Sequence, residues 1–131
     1  MLLAVALGAA AKPASGAPQK PLSVCTVSTD APRFVGKRVR VEGYIFDLGS
    51  HGFVLASKRS CKEQGQLKLQ IRWVSETKVW QSAFANSDGP KRAILIGVIR
   101  WKSARYQGVI PGLDVERVAW IAARDADESD F

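Results

Sequence analysis

The feature that most constrains this chain is a long alternating run, positions 36–49, with a glycine inside it. Val39 and Val41 share one parity with other apolar residues, while charged and aromatic residues share the opposite parity. A period of two is the pattern of a β-strand that buries one face. An interior glycine such as Gly43 weakens a strand unless the backbone bends or another segment comes close. The run therefore predicts a strand, at about residues 37–48, that coils around a small barrel.

Four further segments have strand character. Residues 67–73 alternate as cleanly as the first run, and residues 91–102 form a long apolar stretch that again contains a glycine, Gly97. Turn residues at 49–52 separate the first run from an apolar return. The predicted strands are residues 37–48, 53–57, 67–73, 91–102 and 113–121.

Between the third and fourth predicted strands the apolar spacing becomes helical. Val79, Trp80, Ala83 and Phe84 recur at intervals of one and four residues, and Ser75 is a suitable N-cap. The sequence from Asn86 to Pro90 stops such a helix. This segment predicts a helix of about three turns with one apolar stripe. Three tryptophans, Trp73, Trp80 and Trp120, are predicted to pack in the core or under this helix.

The order strand, strand, strand, helix, strand, strand is similar to the OB-fold, a five-stranded Greek-key barrel with a helix between its third and fourth strands. Residues 32–44, Pro-Arg-Phe-Val-Gly-Lys-Arg-Val-Arg-Val-Glu-Gly-Tyr, resemble the lead-in to the barrel in many small exported bacterial OB-fold proteins. The resemblance covers about residues 36–122. It implies a fold more strongly than a function.

The chain divides into three parts. Residues 2–11 are apolar and uncharged, too few for the roughly 20 that span a bilayer, but similar to the apolar part of a secretory signal. Residues 1–20 are therefore predicted to be a truncated signal peptide and a linker, which implies a periplasmic or secreted protein. The basic residues that usually precede the apolar part are missing, so either Met1 lies within a longer signal or the run is an unstructured tail. Residues 21–124 are predicted to form the domain. Residues 125–131 are predicted to be a disordered acidic tail.

The chain has two cysteines, Cys25 and Cys61. In an exported protein such a pair is most simply a disulfide, which here would fasten the segment before the first strand to the loop after the second. The alternatives are a metal site that includes His51, or a redox-active thiol. The absence of a Cys-x-x-Cys spacing disfavours zinc.

The sequence contains no recognisable catalytic or cofactor-binding motif, neither a Gly-x-Ser-x-Gly, a His-Glu-x-x-His nor a phosphate-binding loop. With a single histidine and scattered carboxylates, we expect no enzyme and no cofactor. A binding module is the favoured class.

The net charge of +7 fits an anionic partner, and it fits equally a soluble domain whose lysines and arginines are simply solvated. Outward positions of the first and third strands, and the end of the fourth, interleave cations with aromatic rings, as in grooves that bind single-stranded nucleic acid. By resemblance to the OB-fold, these strands and the loop after the fourth would form the site. The alternative is that these side chains only cover the barrel. The predicted binding residues are Arg38, Arg40, Tyr44, Phe46, Lys68, Arg72, Trp101, Lys102, Arg105 and Tyr106.

Export favours a partner protein or an anionic envelope polymer as the ligand. Single-stranded nucleic acid is the alternative if the chain stays in the cytoplasm. No membrane span is predicted, and the pattern leaves the oligomeric state open.

Overall fold

The computed structural model describes residues 20–58, 61, 65–75, 77–85, 87–104 and 108–127. A one-turn 3-10 helix, Gly49–His51, links the second and third strands. The other elements, in chain order, are β1 (Leu22–Ser23), α1 (Val24–Thr29), α2 (Ala31–Phe34), β2 (Arg38–Asp47), β3 (Phe53–Ala56), β4 (Lys68–Trp73), α3 (Thr77–Phe84), β5 (Lys91–Ala104) and β6 (Gly108–Ile121).

Strands β2 to β6 close into a five-stranded barrel. The strand order is β1-β2-β3-β4-β6-β5, and pairing of β2 with β5 completes the ring. Strands β4 and β6 run parallel, while the other neighbouring pairs within the ring are antiparallel. With α3 between the third and fourth barrel strands, the predicted OB-fold-like architecture is confirmed.

Two element boundaries differ from the prediction. Strand β6 begins at Gly108 rather than near 113, because residues 108–111 pair with the end of β5 as a hairpin. Helix α3 begins at Thr77 and ends at Phe84, which makes it shorter than predicted. The Ser75 hydroxyl donates its hydrogen bond to the carbonyl of Glu116 on β6. Ser75 therefore binds strand β6 instead of capping the helix.

The apolar strand residues that were predicted to face inward fill the barrel interior. Leu55, Leu69 and Leu95 are fully buried, together with Val24 and Val27 of α1, which close one end. Burying each such aliphatic side chain stabilises the fold by about 1.5–3 kcal/mol. The other end is closed by rings. Phe53 lies 4.6 Å from Trp80 and 5.7 Å from both Trp73 and Phe84, measured between ring centroids.

Both mid-strand glycines lie where another chain segment comes close, which is one of the two reasons that the sequence analysis gave for a glycine inside a strand. A Cβ at Gly43 would lie 2.8 Å from the carbonyl oxygen of Ala56 and 2.8 Å from a methyl group of Val24. A Cβ at Gly97 would lie 2.0 Å from the carbonyl oxygen of Asp114. The β5–β6 ladder shifts register beside Gly97, so this glycine allows β6 to approach at the irregularity.

The predicted disulfide is present. Cys25 of α1 and Cys61 of the β3–β4 loop are bonded, with their Cα atoms 5.4 Å apart. Closing a loop across 36 positions stabilises the fold by roughly 3–4 kcal/mol in the chain-entropy picture. The bond holds α1 at the end of the barrel that its two valines close. His51 lies in the 3-10 helix between β2 and β3.

The segment after β6 packs on the barrel through a buried lysine. Lys91 is 0% exposed, and its ammonium donates to the carbonyls of Ser87 and Gly89 and to a carboxylate oxygen of Asp125, each at 2.9 Å. The backbone N–H of Ala126 also donates to the carbonyl of Pro90. Asp125 and Ala126 therefore contact the barrel, while the predicted division into a domain at residues 21–124 and an acidic tail stays a prediction.

Asp125 belongs to the segment predicted to be a disordered tail, and its carboxylate pairs with the buried Lys91 ammonium, which needs such a partner. Residues 1–19 and 128–131 lie outside the described residues, so the predicted signal and the rest of the acidic tail stay predictions. Nowhere in the described part of the chain is there a helix long and apolar enough to cross a membrane.

Substituting Gly97→Ala is expected to lower the free energy of unfolding by at least about 2 kcal/mol, because the added methyl meets backbone rather than a movable side chain. Urea unfolding measures the change. The matched control is Ser103→Ala, an exposed position on the same strand, which should change stability by less than about 0.5 kcal/mol. Equal stability of the two variants would contradict the close approach of β6.

The Asp125 carboxylate predicts an acid-sensitive contribution to stability. Hydrogen bonds from Ser87 and then Lys91 lower the pKa of Asp125 below its ordinary value. A lowered folded-state pKa stabilises the fold above the unfolded pKa, and this contribution disappears as the pH falls through the folded one. Asp125→Asn should therefore be less stable than the wild type at pH 7, and the gap in melting temperature should narrow below about pH 4.

The control for this experiment is Asp88→Asn, an exposed acid in the same region. Its melting temperature should equal that of the wild type at every pH tested. If the difference in melting temperature between Asp125→Asn and the wild type stayed constant down to pH 2, the carboxylate charge would contribute nothing to stability.

Candidate functional site

Four cationic side chains and two carboxylates meet on the outer face of the barrel, and we name this group the basic cluster. The cations come from β2, β4 and β5, and both carboxylates come from β6. The basic cluster consists of Arg38, Arg72, Arg100, Lys102, Asp114 and Glu116.

Asp114 is the centre of the basic cluster. Its carboxylate accepts a hydrogen bond from the Lys102 ammonium, and its Oδ2 lies 3.7 Å from Nη1 of Arg72 and 3.5 Å from Nε of Arg100. Strand register explains this meeting, because Asp114 pairs with Arg72 on β4 and with Val98 on β5. A carboxylate side chain only 12% exposed is thereby surrounded by three positive charges.

Lys102 reaches Asp114 by lying flat across the sheet. Its pairing on β6 is to Ile110, and its Cγ would be 2.5 Å from a Cβ at the neighbouring Gly112. Because Gly112 has no side chain, the aliphatic stem of Lys102 can cover the backbone there. The Lys102 side chain is 19% exposed as a result.

The arginines of the basic cluster remain open to solvent. The side chains of Arg72 and Arg100 are 70% and 56% exposed, although both contact Asp114. Their guanidinium groups thus keep donors directed away from the protein. Arginine binds carboxylate, sulfate and phosphate groups through paired N–H donors, so this arrangement suits an anionic ligand.

Arg38 and Glu116 extend the basic cluster towards β2. Nε and Nη2 of Arg38 donate to the two carboxylate oxygens of Glu116 at 2.6 and 3.1 Å. These hydrogen bonds raise the pKa of Arg38 and lower the pKa of Glu116. The pair is therefore fully ionised around neutral pH, and Arg38 is held in one orientation.

Three of the ten predicted binding residues, Arg38, Arg72 and Lys102, are brought together in the basic cluster. Lys68 is exposed on the same face of β4 as Arg72, and it lies four residues before Arg72 in the strand. Arg40 is half-buried on β2, where it pairs with Ile96. Arg105 and Tyr106 lie outside the described residues. A binding role for all ten stays a prediction.

Tyr44 and Phe46, two of the predicted aromatic binding residues, are buried or half-buried rather than open to solvent. Tyr44 is 5% exposed and lines a cavity of about 300 Å³ beside Cys25, with the Glu42–Arg92 ion pair on its wall. Phe46 is half-buried against the β3 partner Val54. The alternation of apolar and polar residues predicted that these rings face outward. Packing between the strands and the N-terminal segment covers them instead.

The two exposed tryptophans lie in different places. Trp101 is 47% exposed and pairs with Pro111. This pair lies in the part of the β5–β6 hairpin that extends past the residues paired with β2 and β4. Trp120 is also 47% exposed, opposite Ile94 on the outer face. The prediction that Trp120 packs in the core or under the helix is wrong, because the register shift in β6 turns it outward.

Sequence reasoning missed Arg100, Asp114 and Glu116. Arg100 has the same parity as Lys102 in the predicted fourth strand, and that alternation could have identified it. Asp114 and Glu116 alternate with Val115 in the predicted fifth strand. Their role depends on which strands flank β6, and the sequence carried no signal for that. Within the described ranges, no three or more histidine, cysteine or acidic side chains are grouped to hold a metal ion.

No protein-family model matches this chain, and no curated protein matches it. Solved structures do match it. OBody AM3L09 bound to hen egg-white lysozyme has a TM-score of 0.50 and 16% identity, covering 84% of this chain and 100% of that chain. At this identity the likeness shows the fold alone, and it agrees with an OB-fold-like barrel.

Two further structures were also found. OBody AM2EP06 bound to hen egg-white lysozyme has 22% identity and a TM-score of 0.48, covering 84% of this chain and 98% of that chain. OBody AM1L10 bound to hen egg-white lysozyme has 16% identity and a TM-score of 0.48, covering 79% and 92%.

Removing the central carboxylate should expose the repulsion among the three cations. We expect Asp114→Asn to lower the free energy of unfolding by about 1–3 kcal/mol at low salt, since a nearly buried charged partner is lost. Added NaCl screens the remaining cations, so the loss should shrink between 20 mM and 500 mM salt. Chemical unfolding at both salt concentrations measures this, with Asp88→Asn as the control. A loss independent of salt would contradict an electrostatic role for Asp114.

Proposed function

We propose that this protein is a non-catalytic binding module of the cell envelope that holds an anionic partner, either an envelope polymer or an acidic protein surface, on its basic cluster. The observation that supports the proposal most is the charge imbalance in one ordered group: four cations against two carboxylates. A ligand's anionic groups would complete the pairing. Lys68, exposed on the same face of β4, extends the positive surface.

The internal carboxylates make this cluster a preorganised site. Flexible arginines on a plain surface lose side-chain entropy when they bind a ligand, which weakens binding. Here Asp114 and Glu116 already restrain Arg72, Arg100 and Arg38. Because the exposed sides of these guanidinium groups stay in water, an anion can bind them without displacing Asp114.

The aromatic positions favour an anionic polymer or protein over single-stranded nucleic acid. Nucleic-acid binding of this kind uses exposed rings on which bases stack, at about 1–3 kcal/mol per base. Tyr44 is buried and Phe46 half-buried, so only phosphate contacts remain available along β2. Single-stranded nucleic acid is kept as the alternative because Trp101 is exposed one residue before Lys102.

The compartment and the absence of catalysis belong to the same proposal. A disulfide between Cys25 and Cys61 is typical of proteins in oxidising compartments, which supports export. The charged groups of the basic cluster pair with one another and point to binding. We infer no chemical step for this site.

The test is a double substitution that removes two exposed cations and leaves Asp114 with Lys102. Arg72→Gln/Arg100→Gln should weaken binding of fluorescein-labelled dextran sulfate about tenfold, measured by fluorescence anisotropy at 100 mM NaCl, because exposed ion pairs contribute up to about 1 kcal/mol each. The affinity of the wild-type protein should fall steeply with salt. The charge-matched control is Arg33→Gln/Lys78→Gln, two exposed cations that are not members of the basic cluster.

The control should bind within about twofold of the wild type. If both double variants lose affinity equally, binding follows net charge alone and the proposed site is wrong. A thymidine oligonucleotide is tested in parallel. Tighter binding of the oligonucleotide than of dextran sulfate, with a further loss on Trp101→Ala, would support the nucleic-acid alternative instead.

A further inference from the structure

Strand β5 has the sequence of a strand that is covered on both faces. Residues 93–99 read Ala-Ile-Leu-Ile-Gly-Val-Ile, an unbroken apolar run. Such runs are typical of strands buried on both sides, whereas a strand with one wet face alternates with polar residues, as β4 does. The inward side of β5 is accounted for, because Ala93, Leu95 and Ile99 are 0% exposed in the barrel core.

The outward side of β5 has no covering layer among the described residues. Ile94, Ile96 and Val98 point away from the core and are half-buried at the surface. The exposed Trp120 of β6 stands opposite Ile94 and widens the apolar surface. We name these four residues the apolar strip. An apolar surface of this kind on an otherwise charged protein marks a place where a partner binds.

Charged residues frame the apolar strip. On β2 the residues opposite it are Glu42, Arg40 and Arg38, in the same order as Ile94, Ile96 and Val98. On β6 the exposed Arg117 pairs with Ile96. Counting the ends, four arginines and two glutamates surround the strip: Arg38, Arg40, Arg92, Arg117, Glu42 and Glu116.

The excess of arginines determines which partner fits. A second copy of this chain would place one arginine frame against another, and the chain as a whole carries +7. Like charges facing each other across an interface disfavour association. A partner with apolar side chains flanked by aspartate or glutamate would instead cover the strip and pair with its frame.

We propose that the apolar strip is a docking surface for an acidic, apolar segment of another protein. It lies across β2, β5 and β6, whereas the basic cluster is centred between β4, β5 and β6. The two surfaces share the Arg38–Glu116 ion pair. The proposal does not rest on polymer binding, and a protein could occupy the strip while a polymer occupies the basic cluster.

The full-length protein is used to select binders from a phage-displayed library of random 12-residue peptides. The expected result is enrichment of sequences that combine aliphatic or aromatic residues with aspartate or glutamate. The most enriched peptide, made synthetically, should shift the amide NMR signals of residues 94–98 and the indole signal of Trp120. A selected peptide that is basic, or that shifts signals elsewhere, overturns the proposal.

Paired variants then test the surface. Ile96→Ser/Trp120→Ser should weaken the selected peptide at least tenfold, and Arg117→Glu should weaken it at least fivefold. The control is Leu48→Ser/Val79→Ser, which removes two other exposed apolar side chains and should leave affinity unchanged. Circular dichroism melting of each variant shows that it is folded; if Ile96→Ser/Trp120→Ser is unfolded, Arg117→Glu decides the result alone.

Two outcomes contradict the proposal directly. One is an equal loss of affinity in the control pair, which would mean unspecific apolar binding. The other is a dimer of the wild-type protein in sedimentation that Ile96→Ser/Trp120→Ser dissociates, which would make a second copy the occupant. Arg72→Gln/Arg100→Gln should weaken dextran sulfate about tenfold but should weaken the selected peptide less than Arg117→Glu does, so failure of the polymer site and failure of the strip are distinguishable.

Discussion

The barrel depends on the pairing of β2 with β5, which closes the ring of five strands. That ladder runs from Arg38–Val98 to Ile45–Lys91 and includes Gly97, where the backbone of β6 comes close to β5. A side chain at Gly97 would meet the backbone of Asp114 and push β6 away. Since Asp114 itself organises the basic cluster, the same close approach that closes the barrel also positions the candidate site.

The ends of the barrel are closed by different means. At one end α1 inserts valines and is tied by the Cys25–Cys61 disulfide. At the other, α3 and four aromatic rings form the plug. Beside them the fully buried Lys91 fastens the segment after β6 through Asp125. These contacts leave the outer surfaces of the strands as the places where binding can evolve without disturbing the core.

The outer face carries two surfaces of different chemistry. The basic cluster is polar, partly preorganised and suited to anions. The apolar strip is aliphatic with an arginine frame and suited to an acidic protein segment. Because β5 contributes to both, with Arg100 and Lys102 at one end and Ile94 and Ile96 at the other, one strand connects two proposed functions. Both surfaces include the Arg38–Glu116 ion pair, so they meet at this point of the barrel.

The sequence alone determined the strands, their inward faces, the position of the helix and the need for Gly43 and Gly97, because these follow from local periodicity and backbone sterics. It also pointed to the disulfide and to Arg38, Arg72 and Lys102. Only the tertiary structure decided that Tyr44 is buried, that Trp120 is exposed and that Asp125 pairs with Lys91. Each of these outcomes depends on which distant segment lies alongside, and register between strands far apart in sequence is not encoded in local alternation.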